Sequence, residues 1–331
     1  MCLMKAIVYE KYGSPDVLEF KEVEKPVPGD DQVLIEVRAS SVNAFDWRML
    51  RADPFVIRLT DGLLKPKQTI LGVDVAGRVE AVGPKVTRFE PGDEVFGDVS
   101  GLGGGGFAEY VCAGEELLAP KPAGMAFDDA AAVPMAAVTA LHGLRDHGGI
   151  RAGQKVLING ASGGVGTFAV QIAKSFDAEV TAVCSTRNLE LAHSIGADHV
   201  IDYRQEDFTK SGRQYDLILG ANGKHSIWAY RRALRPDGTF VMSGGSMAQL
   251  LQVVLVGPLI SMIGNRKMRT FVSKPDAKDL AFVAELIEAG KIAPVIDKRY
   301  PLREVPEAIR YLEEEHARGK VSITFEAYHK T

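Results

Sequence analysis

Cysteine is scarce in this chain, and nothing in it reads as an address. The three cysteines, Cys2, Cys112 and Cys184, are widely separated and odd in number, so they form no disulfide framework and point to a reducing, cytoplasmic setting. The first ten residues hold no apolar stretch of signal length and enter a strand-like pattern at Lys5-Ala6-Ile7-Val8-Tyr9, which leaves no room for an export or transit segment. Long apolar runs are also missing. The most apolar, 250–264 (LLQVVLVGPLISMIG), carries Gln252 and Pro258 and falls short of the roughly 20 residues a spanning helix needs, which excludes stable membrane insertion. Charge of one sign is not in excess either. A formal charge of -4 and a pI near 6.0 give no electrostatic footprint for nucleic acid or an anionic membrane, so any phosphate must be held locally.

At 331 residues the chain exceeds the size at which one core stops growing, and two domains are expected. The grammar of the text changes once. Up to about Ala119 it consists of short alternating segments broken by glycine and proline (VLIEVRASSVN, VDVAGRVEAVG, GDEVFGDV, FAEYVCA), the pattern of a β-rich barrel or sandwich. From Asp128 an alanine-rich helix leads into alternating strands and helices: KVLING, VGTFAVQIAKSF, EVTAVCS, NLELAHSIG, HVIDY, DLILG, SIWAYRRALR, TFVMSGG. This is the signature of a parallel sheet with helices on both faces. A strand candidate MRTFVS, an amphipathic helix over 277–290, a helix over 306–317 and the strand VSITF complete the chain.

The chemistry-bearing motif is KVLINGASGGVGTFAVQIAK, in which Gly160, Gly163 and Gly166 are spaced three apart between a strand and a helix. In that context Gly160, Ser162, Gly163, Gly164, Val165 and Gly166 form a turn whose backbone N–H groups can approach a pyrophosphate seated at the helix N-terminus. A tight turn without a ligand is the plainer alternative. An NAD site places Asp or Glu at the end of the next strand to bond the ribose 2′-hydroxyl. Here the text is Cys184-Ser185-Thr186-Arg187-Asn188; Ser185 and Arg187 suit a 2′-phosphate, and no carboxylate stands there to repel it. The expected cofactor is therefore NADPH. The denser run Gly103–Gly106 precedes the strand FAEYV and not a helix, so it reads as a flexible hairpin.

In the order of these parts the chain resembles the medium-chain dehydrogenase/reductase superfamily, and within it the zinc-free quinone oxidoreductases. The matching pieces are VLIEVRASSVNAFDWRML, ILGVDVAGRVEAVG, RFEPGDEVFG, GGFAEYV, AAVPMAAVTALHGL, INGASGGVG, IGADHVIDYR and ARGKVSI. The resemblance implies an α/β protein: a GroES-like β-rich catalytic domain from both chain ends (1–124 and 292–331) around a doubly wound Rossmann domain (125–291). Zinc-containing members carry a cysteine, a His-Glu pair and a further cysteine at positions where this chain has Asn43, Val73 with Asp74, and Met135. Valine cannot ligate zinc and methionine is a poor substitute for thiolate, so no metal is expected.

Absence of a metal restricts the chemistry. Hydride transfer to a simple ketone yields an alkoxide about as basic as hydroxide, whose parent has a pKa of about 15.7. Transfer to a quinone yields a phenolate with a parent pKa of about 10, a saving of roughly 8 kcal/mol in charge stabilisation. A conjugated enone gains likewise through its enolate. The expected substrate is thus a small quinone or α,β-unsaturated carbonyl, with an alcohol or aldehyde dehydrogenase and a low-turnover redox sensor as the alternatives. Resemblance and chemistry single out Asn43, which could bond a carbonyl oxygen or the cofactor ribose, and Asp46, which could orient a water or substrate. Both could equally cap a turn. By resemblance alone, Thr139 meets the nicotinamide end, Tyr203, Ser243, Gly244, Phe271, Val272 and Lys320 line the cofactor, and the chain is a homodimer with 250–264 and MRTFVS near the interface or the active-site mouth.

Overall fold

The structure is a computed structural model that describes residues 2–102, 104–223, 225–263, 265–314 and 317–325. It divides into two compact units: one comprises 1–135, 274–288 and 296–331, the other 136–273 and 289–295. The helix expected inside the nucleotide-binding span at 277–290 thus groups with the first unit.

In chain order the first part contains β1 (Leu3–Val8), β2 (Glu19–Glu24), β3 (Gln32–Val42), the helices α1 (Ala44–Arg51) and α2 (Ile57–Asp61), then β4 (Asp74–Val82), β5 (Glu94–Asp98), β6 (Tyr110–Gly114), β7 (Leu118–Pro120) and α3 (Phe127–Ala130). The alanine-rich helix expected from Asp128 is broken: after α3 the chain restarts as α4 (Pro134–Leu141) and loosens into wider turns over His142–His147. There follow β8 (Lys155–Asn159), α5 (Gly164–Ser175), β9 (Glu179–Cys184), α6 (Leu189–Ser194), β10 (His199–Asp202), β11 (Tyr215–Gly220), α7 (Ile227–Ala233), β12 (Leu234–Met242), α8 (Met247–Ile263) and β13 (Lys267–Thr270). The chain closes with α9 (Ala277–Glu288), β14 (Ile296–Pro301), α10 (Val305–Glu313) and β15 (Lys320–Thr324).

In the first unit β1 and β2 form an antiparallel ribbon, and the larger sheet runs β14-β15-β3-β4-β5-β7 with β6 also paired to β3. The strand β3 shows why: Val33, Ile35 and Val37, two apart, are all buried in one core with Val75, Val79 and Val95. This is the GroES-like β-rich domain.

The second unit holds a parallel sheet in the order β10-β9-β8-β11-β12-β13. Numbered from β8 this is 3-2-1-4-5-6, the doubly wound Rossmann order, and its direction reverses between β8 and β11. The helix α5 buries every residue from Gly166 to Ala173, because it packs on β8 and β9 of a sheet covered on both faces.

Two expectations are corrected. The glycine run is no hairpin: β5 and β6 do not pair with each other, and Gly105, Gly106 and Phe107 instead donate to the carbonyls of Leu71 and Gly72. Gly103 itself lies outside the described residues. The apolar run 250–264, read as more apolar than a surface loop should be, belongs to the helix α8 up to Ile263, with Pro258 inside it; Gly264 lies outside the described residues.

Candidate functional site

The parallel strands of the second unit carry the expected cofactor residues on the segments that follow their carboxyl ends, where open α/β sheets bind ligands. The glycine turn follows β8, Ser185 and Arg187 follow β9, Tyr203 follows β10, Ser243 and Gly244 follow β12, and Phe271 and Val272 follow β13. Each glycine has its own reason. Gly160 has φ +87°, and a Cβ there would stand 2.8 Å from the Asn222 amide, where the loops after β8 and β11 close on one another. A Cβ at Gly166 would lie 2.0 Å from the Gly160 carbonyl, so only glycine lets α5 start this close to the turn. Gly163, the N-cap of α5, is different: a Cβ there would meet nothing nearer than 3.7 Å. The turn is thus packed at its two ends and open in the middle. That is the shape into which a pyrophosphate fits, with the N–H groups of Gly164, Val165 and Gly166 at a helix N-terminus.

Asn188, which sequence reasoning left without a role, ties the turn to the end of β9. Its Nδ2 donates to Ser162 Oγ at 2.9 Å and to Ser185 Oγ at 3.2 Å. Its Oδ1 is buried without a partner among the described residues, an acceptor that a dinucleotide's hydroxyl or amine donor would satisfy. Arg187 is exposed and Tyr203 is 55% exposed. The expectation that no carboxylate stands near needs correction. The register of β10 on β9 sets Asp202 opposite Cys184, and its carboxylate accepts from Thr186 Oγ1 at 2.6 Å and from the Arg204 amide at 3.0 Å. Those bonds hold its pKa below the usual carboxylate range, the Thr186 hydroxyl first among them. The acid was invisible because it comes from the next strand and not from the end of β9.

Ser243 continues β12, its amide donating to the Gly220 carbonyl. Gly244 passes the Ala221 carbonyl so closely that a Cβ would stand 2.3 Å from it. Phe271 stacks on His147 with centroids 4.5 Å apart, and Val272 is 87% exposed. Thr139 lies half-buried in α4.

Asn43, Asp46 and Lys320 belong to the first unit and do come together there. Neighbouring strands build the cluster as a row: β15 lays Ser322 beside Ser41 of β3, β3 lays Ser41 beside Asp74 of β4, and β4 lays Asp74 beside Asp98 of β5. Directly opposite residues share a face. Lys320 opens β15, and its Nζ donates to Asn43 Oδ1 at 2.5 Å and to Asp74 Oδ2 at 3.1 Å. The same Asp74 oxygen accepts from Ser41 Oγ at 2.6 Å and Asn43 Nδ2 at 2.8 Å, while Oδ1 accepts from the Met135 amide at 2.8 Å. The side chains of Asp74 and Lys320 are 0% and 3% exposed. Asn43 and Asp46 close a capping box at the start of α1: Asp46 Oδ2 accepts from the Asn43 amide at 2.7 Å, and its Oδ1 accepts from the Gly72 amide at 3.0 Å. Asp46 is fully buried, and burial pushes its pKa up to about 7 against those two bonds. Burial, reinforced by the Asp74 charge, likewise pushes Asp98 up to about 7. Lys320 therefore directs its ammonium to a carboxylate and an amide of its own unit.

Asp74 is the hub that sequence reasoning missed. The available signal was one acid in the otherwise apolar text ILGVDVAGRV, since an acid is rarely fully buried unless paired. The positions that hold zinc in metal-dependent relatives do not fit the ion: Asn43 offers an amide, Val73 no ligand atom and Met135 a thioether, and both oxygens of the adjacent Asp74 are already filled by donors.

Comparison with known proteins agrees with this architecture. The family model described as alcohol dehydrogenase GroES-like domain matches residues 29–123, and the one described as zinc-binding dehydrogenase matches 195–323. The chain is 38% identical to 2-methylene-furan-3-one reductase of Solanum lycopersicum over 97% of this chain and 79% of that protein. It is 35% identical to the mitochondrial NAD(P)H oxidoreductase RTN4IP1 of Bos taurus over 97% of this chain and 89% of that one. The solved quinone oxidoreductase of Coxiella burnetii superposes with a TM-score of 0.88 at 28% identity, covering 98% of this chain and all 100% of that one. The row of cluster residues in a GroES-like unit, the glycine turn at the switch point of a Rossmann sheet and these matches along the chain agree: it is an oxidoreductase belonging to the medium-chain dehydrogenase/reductase superfamily, in its quinone-oxidoreductase-like group.

Proposed function

We propose that the protein reduces quinones or α,β-unsaturated carbonyls with NADPH and without zinc. The observation that carries this reading is the Lys320 ammonium clamped by Asp74 and Asn43 among the positions where metal-dependent relatives hold their ion. Among the described residues the ammonium has two acceptors for its three N–H groups. The third is a fixed cationic donor for the oxygen on which charge develops, the task a Lewis acid performs elsewhere. A single ammonium is a weaker electrophile than zinc, which suits an acceptor that becomes a phenolate or enolate and not an alkoxide. Relatives named as a quinone oxidoreductase and a furanone reductase support the same acceptor classes.

The bound dinucleotide supplies the hydride. Around it the chain's residues hold and orient: the turn from Gly160 to Gly166 receives the pyrophosphate, Ser162 and Ser185 are fixed by Asn188, and Arg187 offers an exposed guanidinium to the 2′-phosphate. Asp202 opposes that charge, but its carboxylate is already engaged by Thr186 and the Arg204 amide. The test is steady-state NADPH oxidation with a benzoquinone, a conjugated enone and a simple ketone, each with and without chelator. Turnover of the first two that survives chelation is expected. Binding of NADPH without turnover of any acceptor, or turnover that needs added zinc, would overturn the reading.

A further inference from the structure

Hydride transfer brings one of the two hydrogens that an activated alkene takes up. The other arrives as a proton, and the free N–H of Lys320 is already assigned to holding the oxygen. The row of strands that builds the cluster offers one further acid. β4 pairs Asp74 with Asp98 of β5, so the two carboxyl groups share a face, with their Cβ atoms about 5 Å apart. Lys320 reaches Asp74 from the side of β15 and β3, and Asp98 stands on the other side.

The three acids of the cluster are held differently. Asp74 accepts from Lys320, Ser41, Asn43 and the Met135 amide, and Asp46 accepts from two backbone amides. Both are 0% exposed. Asp98 accepts from the Ser100 amide at 2.8 Å; among the described residues Ser100 is its one hydrogen-bond partner, and no cation bonds to it. At 8% exposure it is the acid of the three that reaches solvent. A carboxyl so enclosed, facing a second carboxylate and lacking a cation of its own, keeps its proton well above the ordinary carboxylate range. Burial first, and the Asp74 charge second, account for its value of about 7. Two carboxyl groups whose surroundings drive them apart divide the work, one staying charged and the other carrying a proton to give. Such a carboxyl costs the fold stability, which is the pattern of a residue kept for chemistry.

We propose that Asp98 is the general acid of the site and gives its proton to the α-carbon of an enone acceptor, an inference that rests on the reductase reading. As hydride forms the new C–H bond at the β-carbon, the electron pair of the alkene moves through the α-carbon onto the oxygen, where the third N–H of Lys320 receives it. The α-carbon lies two bonds from that oxygen, and Asp98 lies one strand beyond the carboxylate that holds Lys320. The pair then returns to make a C–H bond with the proton of Asp98, whose O–H bond breaks onto the carboxyl oxygen. A saturated ketone leaves, and the carboxylate recovers a proton from water at its exposed edge. A quinone needs no such acid, because its phenolate, with a parent pKa of about 10, takes its proton on oxygen from water.

The test compares wild type with Asp98→Asn on benzoquinone and on a cyclohexenone carrying a methyl group at the α-carbon, read beside thermal melting and NADPH binding. The amide still accepts from the Ser100 amide, so the variant should melt no lower than wild type and bind NADPH equally. Its enone turnover should fall about a hundredfold, the lower end of what a general acid contributes, and its quinone turnover by less than about threefold. Wild type should give one enantiomer of the methyl ketone, whereas the residual product of the variant should approach a racemate, since water then protonates the enolate. In the protein without cofactor, the infrared band of protonated carboxyl groups that fades as pH rises through 7 should be smaller in the variant, with Asp46 supplying the remainder. The charged groups facing Asp98 are Asp74 from β4 and, beyond it, Lys320 from β15; β7, on the other side of β5, carries no titratable residue. Loss on both acceptors alike, no loss on the enone, an unchanged single enantiomer or an unchanged infrared band overturns the proposal. So does a wild type that reduces the quinone but not the enone. A wild type that reduces neither overturns the reductase reading, and this inference with it.

Discussion

Replacing Lys320 by Met removes one charge from the cluster while keeping most of the side-chain volume. The pair it breaks is fully enclosed, with Asp74 at 0% and Lys320 at 3% exposure and 3.1 Å between Nζ and Oδ2. At that distance, with an effective dielectric near 20, the Coulomb attraction is about 5 kcal/mol. Removing one partner of such a pair costs about 3 to 5 kcal/mol, because the other is left as a buried charge. The donors from Ser41, Asn43 and Met135 survive, which places the expected loss near the lower bound, about 3 kcal/mol in urea unfolding at pH 7. Adding Asp74→Asn should return part of that loss, since the neutral amide leaves no buried charge while its oxygen can still accept from Ser41 and Asn43. Turnover should behave differently. Lys320→Met should lower kcat by about a hundredfold, the magnitude of one lost oxyanion donor, and the double variant should stay equally slow despite its recovered stability. A stability loss under about 1 kcal/mol would show that the ion pair adds little to the fold. Recovery of turnover together with stability in the double variant would reduce Lys320 to scaffold and remove the main support for metal-free catalysis.

Asp98, in the same row of strands, and the nucleotide turn of the second unit can be tested in the same way. Asp98 has its folded pKa raised to about 7 by burial and the Asp74 charge, so the folded state keeps a proton that the unfolded chain releases near pH 4, and stability from this group is present below pH 4 and lost as pH rises through 7. The uncharged Asp98→Asn, which can still accept from the Ser100 amide, should therefore gain on wild type by about 3 kcal/mol in unfolding free energy between pH 5 and pH 8; a gap that does not change with pH would refute the shift. At the nucleotide turn, Arg187→Ala should weaken NADPH binding about tenfold to a hundredfold with little change for NADH, and Asp202→Asn should shift preference further toward NADPH; calorimetric titration showing that Arg187→Ala weakens both cofactors alike would mean the phosphate is not read there.

The second unit was legible almost element by element. A parallel strand buried on both faces is a short apolar run, and a glycine turn between such a run and a helix has few other uses, so VLING, AVC and LILG announce themselves. The run 250–264 was harder for a physical reason. A helix apolar on both faces has no 3.6-residue contrast, and Pro258 argues against a helix; only the packing of Val253, Gly257 and Ile260 on its neighbours separates the two sides. The glycine-rich stretch misled because local turn chemistry favours a hairpin, whereas β6 takes β3 as its partner from far along the chain.

The candidate site divides along the same line. Whatever is local in sequence, such as Gly160 to Gly166 or the reach of Asp46 back to the Asn43 amide, was readable; whatever strand register assembles was not. Asp74 looked like a mere departure from a metal ligand, and Lys320 like one more cofactor contact. Adjacent strands turn the two into a buried ion pair. Asp202 shows the same effect, reaching the end of β9 from β10. The chemistry of this chain therefore depends less on which residue types it contains than on which strands lie side by side, and for that reason the Lys320 and Asp74 pair tests the reading more sharply than any single position named by motif.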